Sequence, residues 1–168
     1  MPRLTAHDST TAPRHAGERL AALEARHGDV AVMTRTMAGS ASLLIGYLEL
    51  SKAMKRSRLD RGVAERMSIA VQQELGCATC LDAHVHAARA AGVPDYEIDL
   101  AKQATSADGR TAALVAFAHR VHTDPSSITA TDLDALRDLG VTETEILDTV
   151  GLVALNVLTG TLNLVAGL

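Results

Sequence analysis

Three aromatic rings, Tyr47, Tyr96 and Phe117, have to serve a chain of 168 residues that contains no tryptophan. Hydrophobic residues nevertheless make up 47% of it, enough to build a core. That core must come from Ala, Val, Leu, Ile and Met. Small aliphatic side chains suit close helix-on-helix packing, whereas a β-sandwich draws on β-branched and aromatic residues. The expectation is an all-α fold, a compact helical bundle, and the length fits one domain. The same scarcity argues against binding single-stranded nucleic acid, which stacks bases on aromatic rings. A net charge of −4 argues against phosphate-backbone binding and a DNA-binding sensor.

The hydrophobic spacing is helical almost throughout, and no stretch alternates as a strand would. Residues 15–26 read as a first helix ending at Gly28. Ser40 caps a second, running to about Lys55. Asp60 precedes a third over 61–75, with Val63, Met67, Ala70, Val71 and Leu75 as its apolar stripe. A fourth covers 77–91 and stops at Gly92-Val93-Pro94. Further helices are expected over 95–104, 108–122 and 131–139. Thr142, with Glu145 three residues on, forms a capping box for a long terminal helix.

The first fourteen residues are polar and carry no apolar run of a secretory signal, so they are expected as a disordered arm, with residues 15–168 as one domain. The cytoplasm is the default setting. Residues 146–168 have a single charged side chain, Asp148. They are long enough to span a bilayer, but Asn156, Asn163 and three threonines interrupt them and no basic cluster flanks them. A helix apolar nearly all round must be covered on every side, so burial within the chain or against another subunit is expected rather than a membrane.

The two cysteines, Cys77 and Cys80, are the only ones in the chain. They sit in the stretch ELGCATCLDAHVHAA. A lone Cys-x-x-Cys without an export signal reads as redox-active or metal-binding rather than as a disulfide framework. On a helix starting near Cys77, residues 77, 80 and 84 fall within roughly 60° of one another. His86 points away and is expected to be solvated. A helix N-terminus lowers a thiol pKa. His84 can accept or return a thiol proton, and a second thiol can condense with a sulfenic acid. The metal alternative pairs Cys77 and Cys80 with His119 and His122 as a Cys2His2 zinc site. Glu65, judged by periodicity alone, is a solvated charge between the apolar stripe and water.

Glu65 lies twelve residues before Cys77, giving E-x11-C-x2-C-x3-H. With this pattern the sequence resembles the family of the D-type alkyl hydroperoxide reductase proteins and the carboxymuconolactone decarboxylases, in its peroxidase-related branch. The likeness is clearest over residues 60–102 and extends less specifically to 35–52. It implies that Cys80 is the peroxidatic thiol, that Cys77 resolves it, and that Glu65 and His84 form a proton relay. Some members carry another His directly before the second cysteine; Thr79 stands there, so any role of that His is absent or weakened. The resemblance implies a cofactor-free peroxidase or thiol–disulfide oxidoreductase acting on hydroperoxides. Its reductant would be a dithiol on a lipoylated or thioredoxin-like protein, and its assembly a homo-oligomer, trimer or hexamer. The alternatives are a lactone-type lyase, which would not depend on the cysteine pair, and a non-enzymatic redox or zinc sensor.

Overall fold

A computed structural model describes all 168 residues. The order is α1 (Arg14–His27), α2 (Val32–Met37), α3 (Ala41–Met54), α4 (Arg61–Leu75), α5 (Ala78–Ala90), α6 (Asp95–Ala101), α7 (Gly109–Thr123), α8 (Ala130–Asp138) and α9 (Glu143–Ala166). One 3-10 turn, Pro125–Ser127, lies between α7 and α8. There is no strand, and the all-α expectation holds. The capping residues read from the sequence act as such. Ser40 Oγ accepts from Leu43 N, and Asp60 Oδ1 from Val63 N. Thr142 and Glu145 bond reciprocally at the start of α9. The helix not anticipated is α2, whose six residues are too few to show a period and whose N-cap, Ala31, offers no capping side chain.

The chain divides into two compact units: Arg56–Gly160, and Met1–Lys55 with Thr161–Leu168. In the second of these, Leu20, Met37, Ala38 and Leu44 form a core. Residues 1–14, expected as a loose arm, make specific bonds there. Arg3 N donates to Ala166 O at 2.7 Å, and His7 N to Arg35 O at 3.0 Å. Arg35 Nε donates back to His7 O at 2.9 Å.

In the unit Arg56–Gly160, α4 is the central helix, and its eight buried residues explain why. Met67, Ala70 and Val71 pack with Leu114, Val115 and Ala118 of α7, Leu136 of α8 and Val153 of α9. Ile69 packs in the other direction, with Ala88 of α5 and Ile98 and Ala101 of α6. The single apolar stripe read from the sequence is therefore only one of two covered faces.

A buried polar layer joins α4 to α9. Gln72 Nε2 donates to Asn156 O at 2.9 Å and to Asn156 Oδ1 at 3.0 Å. Asn156 Nδ2 donates to Ser68 Oγ at 3.0 Å. The close approach requires Gly160, because a Cβ there would lie 2.5 Å from Gln72 Oε1 and collide with Leu75. The opposite side of α9 is open: Leu147 is 64% exposed, and Val150, Leu164 and Val165 are also exposed. The expectation that this helix is covered on every side is not met within one chain. α9 is long and apolar enough to cross a membrane by length and composition, but Ile146, Thr149, Val153 and Asn156 face a protein core.

Candidate active site

The site begins where α4 must stop. Gly76 adopts φ 76°, a left-handed conformation that glycine takes without a Cβ clash. Gly76 N and Cys77 N both donate to Gln72 O, at 3.0 and 3.3 Å. The chain reverses, and Cys77 becomes the residue that opens α5. Its carbonyl accepts from Leu81 N at 2.9 Å, so Cys80 lies in the first turn. The helix expected over 77–91 is thus realised with Cys77 as its cap. The two thiols are joined as a disulfide, with Cα atoms 5.3 Å apart. Both residues are buried, Cys77 at 2% exposure and Cys80 at 7%.

His84 follows Cys80 by one helical turn, and its Nδ1 lies 2.8 Å from Glu65 Oε2. A carboxylate can only accept, so Nδ1 is the donor, and Nε2 is left as the nitrogen that can take or give a proton. Both side chains are partly exposed. The pairing follows from the packing of α4 on α5. Glu65 shares a helix face with Ile69, and His84 with Ala88, while Ile69 and Ala88 belong to one core cluster. Periodicity alone made Glu65 a solvated charge because it took account of only one buried face of α4. The α5-facing side carries the carboxylate to the histidine.

The structure therefore groups Cys77 with Cys80, and Glu65 with His84, on two adjoining helices. The remaining candidates lie elsewhere. His86 and Thr79 are exposed. His119 Nε2 lies 3.3 Å from Glu74 Oε2. No group of three or more His, Cys, Asp or Glu side chains is arranged to hold a metal, and the Cys2His2 alternative finds no geometry in its favour.

One polar group beside the site was not anticipated. Arg66, next to Glu65, reaches α6, where its Nη1 donates to Glu97 Oε2 at 2.9 Å. Ser106 Oγ donates to the same oxygen at 2.6 Å, and Ala107 N to Glu97 Oε1 at 3.1 Å. Burial pushes the Glu97 carboxyl up, but the bonds from Ser106, Arg66 and Ala107, with the Arg66 charge, together hold it below its ordinary value. The sequence signal was thin: a Glu in the first turn of a short helix, followed by a Ser nine residues on.

A helical chain with a Cys-x-x-Cys disulfide opening one helix, backed by a His on that helix paired with a Glu on the helix before it, defines a class of thiol-bearing all-α folds. Residues 41–119 match the carboxymuconolactone decarboxylase family model. No curated protein sequence matches the chain significantly. Among solved structures, it is similar to an alkylhydroperoxidase AhpD core, an uncharacterized peroxidase-related protein from Ralstonia eutropha. The TM-score is 0.82 at 19% identity, over 99% of this chain and 90% of that one. A second is an uncharacterized peroxidase-related protein from a Silicibacter species, with TM-score 0.77 and 17% identity, over 93% of this chain and 84% of that one. These likenesses bear on the fold.

Proposed function

We propose that the protein is a thiol-dependent peroxidase that reduces hydroperoxides through Cys80 and Cys77. The observation that carries this reading is the disulfide between the chain's only two cysteines, placed at the start of α5 with the His84–Glu65 pair one turn away. In the reduced enzyme the α5 N-terminus favours a thiolate at Cys80. That thiolate attacks the terminal peroxide oxygen; the O–O bond breaks, and Cys80 becomes a sulfenic acid. The leaving alkoxide takes a proton, supplied through His84 Nε2 with Glu65 holding the ring, and departs as an alcohol. Cys77 then attacks the Cys80 sulfur, expels water and forms the disulfide. An external dithiol returns two electrons and two protons. In the cytoplasm, a lipoylated or thioredoxin-like protein supplies it.

The exposed apolar side of α9, with Leu147 and Val150, serves in this reading as a contact between copies in a trimer or hexamer. Light scattering on the full chain tests that assembly, and a monomer at micromolar concentration contradicts it.

The roles are tested by comparing Cys80→Ser with Cys77→Ser in hydroperoxide consumption. Cys80→Ser should abolish turnover. Cys77→Ser should still react once, stopping at a sulfenic acid that a dimedone-type reagent traps. Full activity in Cys80→Ser overturns the assignment. The name of the family model favours one rival, a lyase on a lactone-type substrate. That reading predicts turnover surviving loss of both thiols.

A further inference from the structure

The unit Arg56–Gly160 holds nine lysines and arginines, and their pairing is uneven. Arg66, Arg89, Lys102, Arg110, Arg120 and Arg137 each make an ion pair. The three that make none are Arg56, Arg58 and Arg61, which fall within six residues of one another and are all exposed. The acidic groups beside them are already engaged. Asp60 Oδ1 accepts from Val63 N at 3.1 Å, and Asp148 Oδ2 from Arg58 N at 2.7 Å. Glu65 is bound to His84. These carboxylates hold the backbone and the relay, and leave three guanidiniums facing water.

The position of this patch matters as much as its charge. Arg61 opens α4 and lies one turn before Glu65, on the same helix face. Glu65 in turn holds His84, one turn from Cys80. The unpaired charge therefore sits at the start of α4, about two helical turns from Cys80 along the α4–α5 pair. A reductant must bring a thiolate to sulfurs in residues only 2% and 7% exposed, so its approach benefits from being oriented and held. Opposite charge on two surfaces raises the encounter rate and sets that orientation. Three separate arginines along a loop and a helix start present a surface rather than a pocket, which suits a protein better than a small anion. An overall charge of −4 disfavours a polyanion as long as nucleic acid.

We propose that Arg56, Arg58 and Arg61 form a docking patch for an acidic face of the dithiol-bearing protein that re-reduces the Cys77–Cys80 disulfide. This rests on the peroxidase reading for its purpose, but not for its test. The chemistry is thiol–disulfide exchange. One thiolate of the carrier attacks a sulfur of the pair, forming a mixed disulfide and releasing the other cysteine. The second carrier thiol attacks its own mixed-disulfide sulfur, so the carrier leaves oxidised and the pair is reduced by two electrons.

The probe is a synthetic dithiol peptide flanked by glutamates, compared with the same peptide flanked by lysines and with the uncharged dithiothreitol. Reduction of the oxidised full chain is followed by alkylating the thiols that appear. At low salt the acidic peptide should react about tenfold faster than the basic one. The difference should collapse at about 0.5 M salt and in the triple variant R56Q/R58Q/R61Q. The dithiothreitol rate should be the same in both chains. The single variant Arg58→Gln, whose side chain makes no polar contact, should show a partial loss. Equal rates for the two peptides in the native chain overturn the proposal, as does a preference that survives in the triple variant. Retention on duplex DNA that depends on the three arginines, without any peptide preference, overturns it in favour of nucleic acid. A charge preference in a chain that consumes no hydroperoxide supports the patch and sinks the peroxidase reading instead.

Discussion

Glu65 and Arg66 follow one another on α4 and reach across to different helices. Glu65 meets His84 on α5 through one hydrogen bond, and both side chains keep some contact with water. Arg66 meets Glu97 on α6, where the carboxylate also accepts from Ser106 and Ala107, and both partners are largely buried. In the second pair the carboxylate accepts three bonds, which together favour its charged form. Its role is to fix α6 against α4. The first leaves His84 Nε2 free to exchange a proton, which is what a relay needs. On the proposed reading, adjacent residues on one helix divide stability from chemistry, and the division is open to experiment.

The largest expected effect is on the structural side. Arg66→Ala strands the Glu97 carboxylate without its charge partner, and loss of one member of a buried pair costs about 3 kcal/mol or more. A urea midpoint well below that of the native chain checks this; an unchanged midpoint would show that water replaces Arg66. The reciprocal test is Glu65→Gln. It should leave the midpoint nearly unchanged while lowering peroxide turnover by about 100-fold, the usual scale for loss of a positioned acid–base group. If Glu65→Gln instead lowers stability and spares turnover, the two pairs have been assigned the wrong way round.

A smaller effect appears in the pH dependence of stability. The folded Glu97 carboxyl lies below its ordinary value, so the unfolded chain binds its proton first as pH falls. The stabilisation is therefore fully present above about pH 4.3, the ordinary glutamate value, and is lost as pH drops through the folded value. Glu97→Gln should flatten this acid limb. An acid limb unchanged by the substitution would place its origin in another carboxylate. The smallest effect is that of Asp60→Ala, which removes the cap of the helix carrying both pairs. It should cost about 1 kcal/mol and leave the ratio of turnover between native and Glu65→Gln chains as it was.

How far these features can be read from the sequence follows from their physics. Caps such as Ser40, Asp60 and Thr142 are local, and each works as its residue type implies. So does the reversal at Gly76, which sets Cys77 at the start of α5. The link between Glu65 and His84 is not local. It depends on α4 having two buried faces, and a single apolar stripe in the sequence hides the second. Here the motif spacing carried what the helix period could not. The Arg66–Glu97–Ser106 network spans three separate segments and had no motif to mark it. The basic cluster at 56, 58 and 61 was visible in the letters, but a net charge of −4 averages it away. The apolar perimeter of α9 was legible, whereas its covering was not, since Leu147 and Val150 stay exposed in the single chain.

The most direct test of the central claim uses the fully reduced chain and one equivalent of hydroperoxide, with thiols titrated and the intact mass measured before and after. The account predicts that both thiols disappear together and that the mass falls by about two units, the signature of a Cys77–Cys80 disulfide formed at the expense of the peroxide. Two thiols still titrating after the peroxide has been added, or a mass that rises by added oxygen without a disulfide, would contradict it.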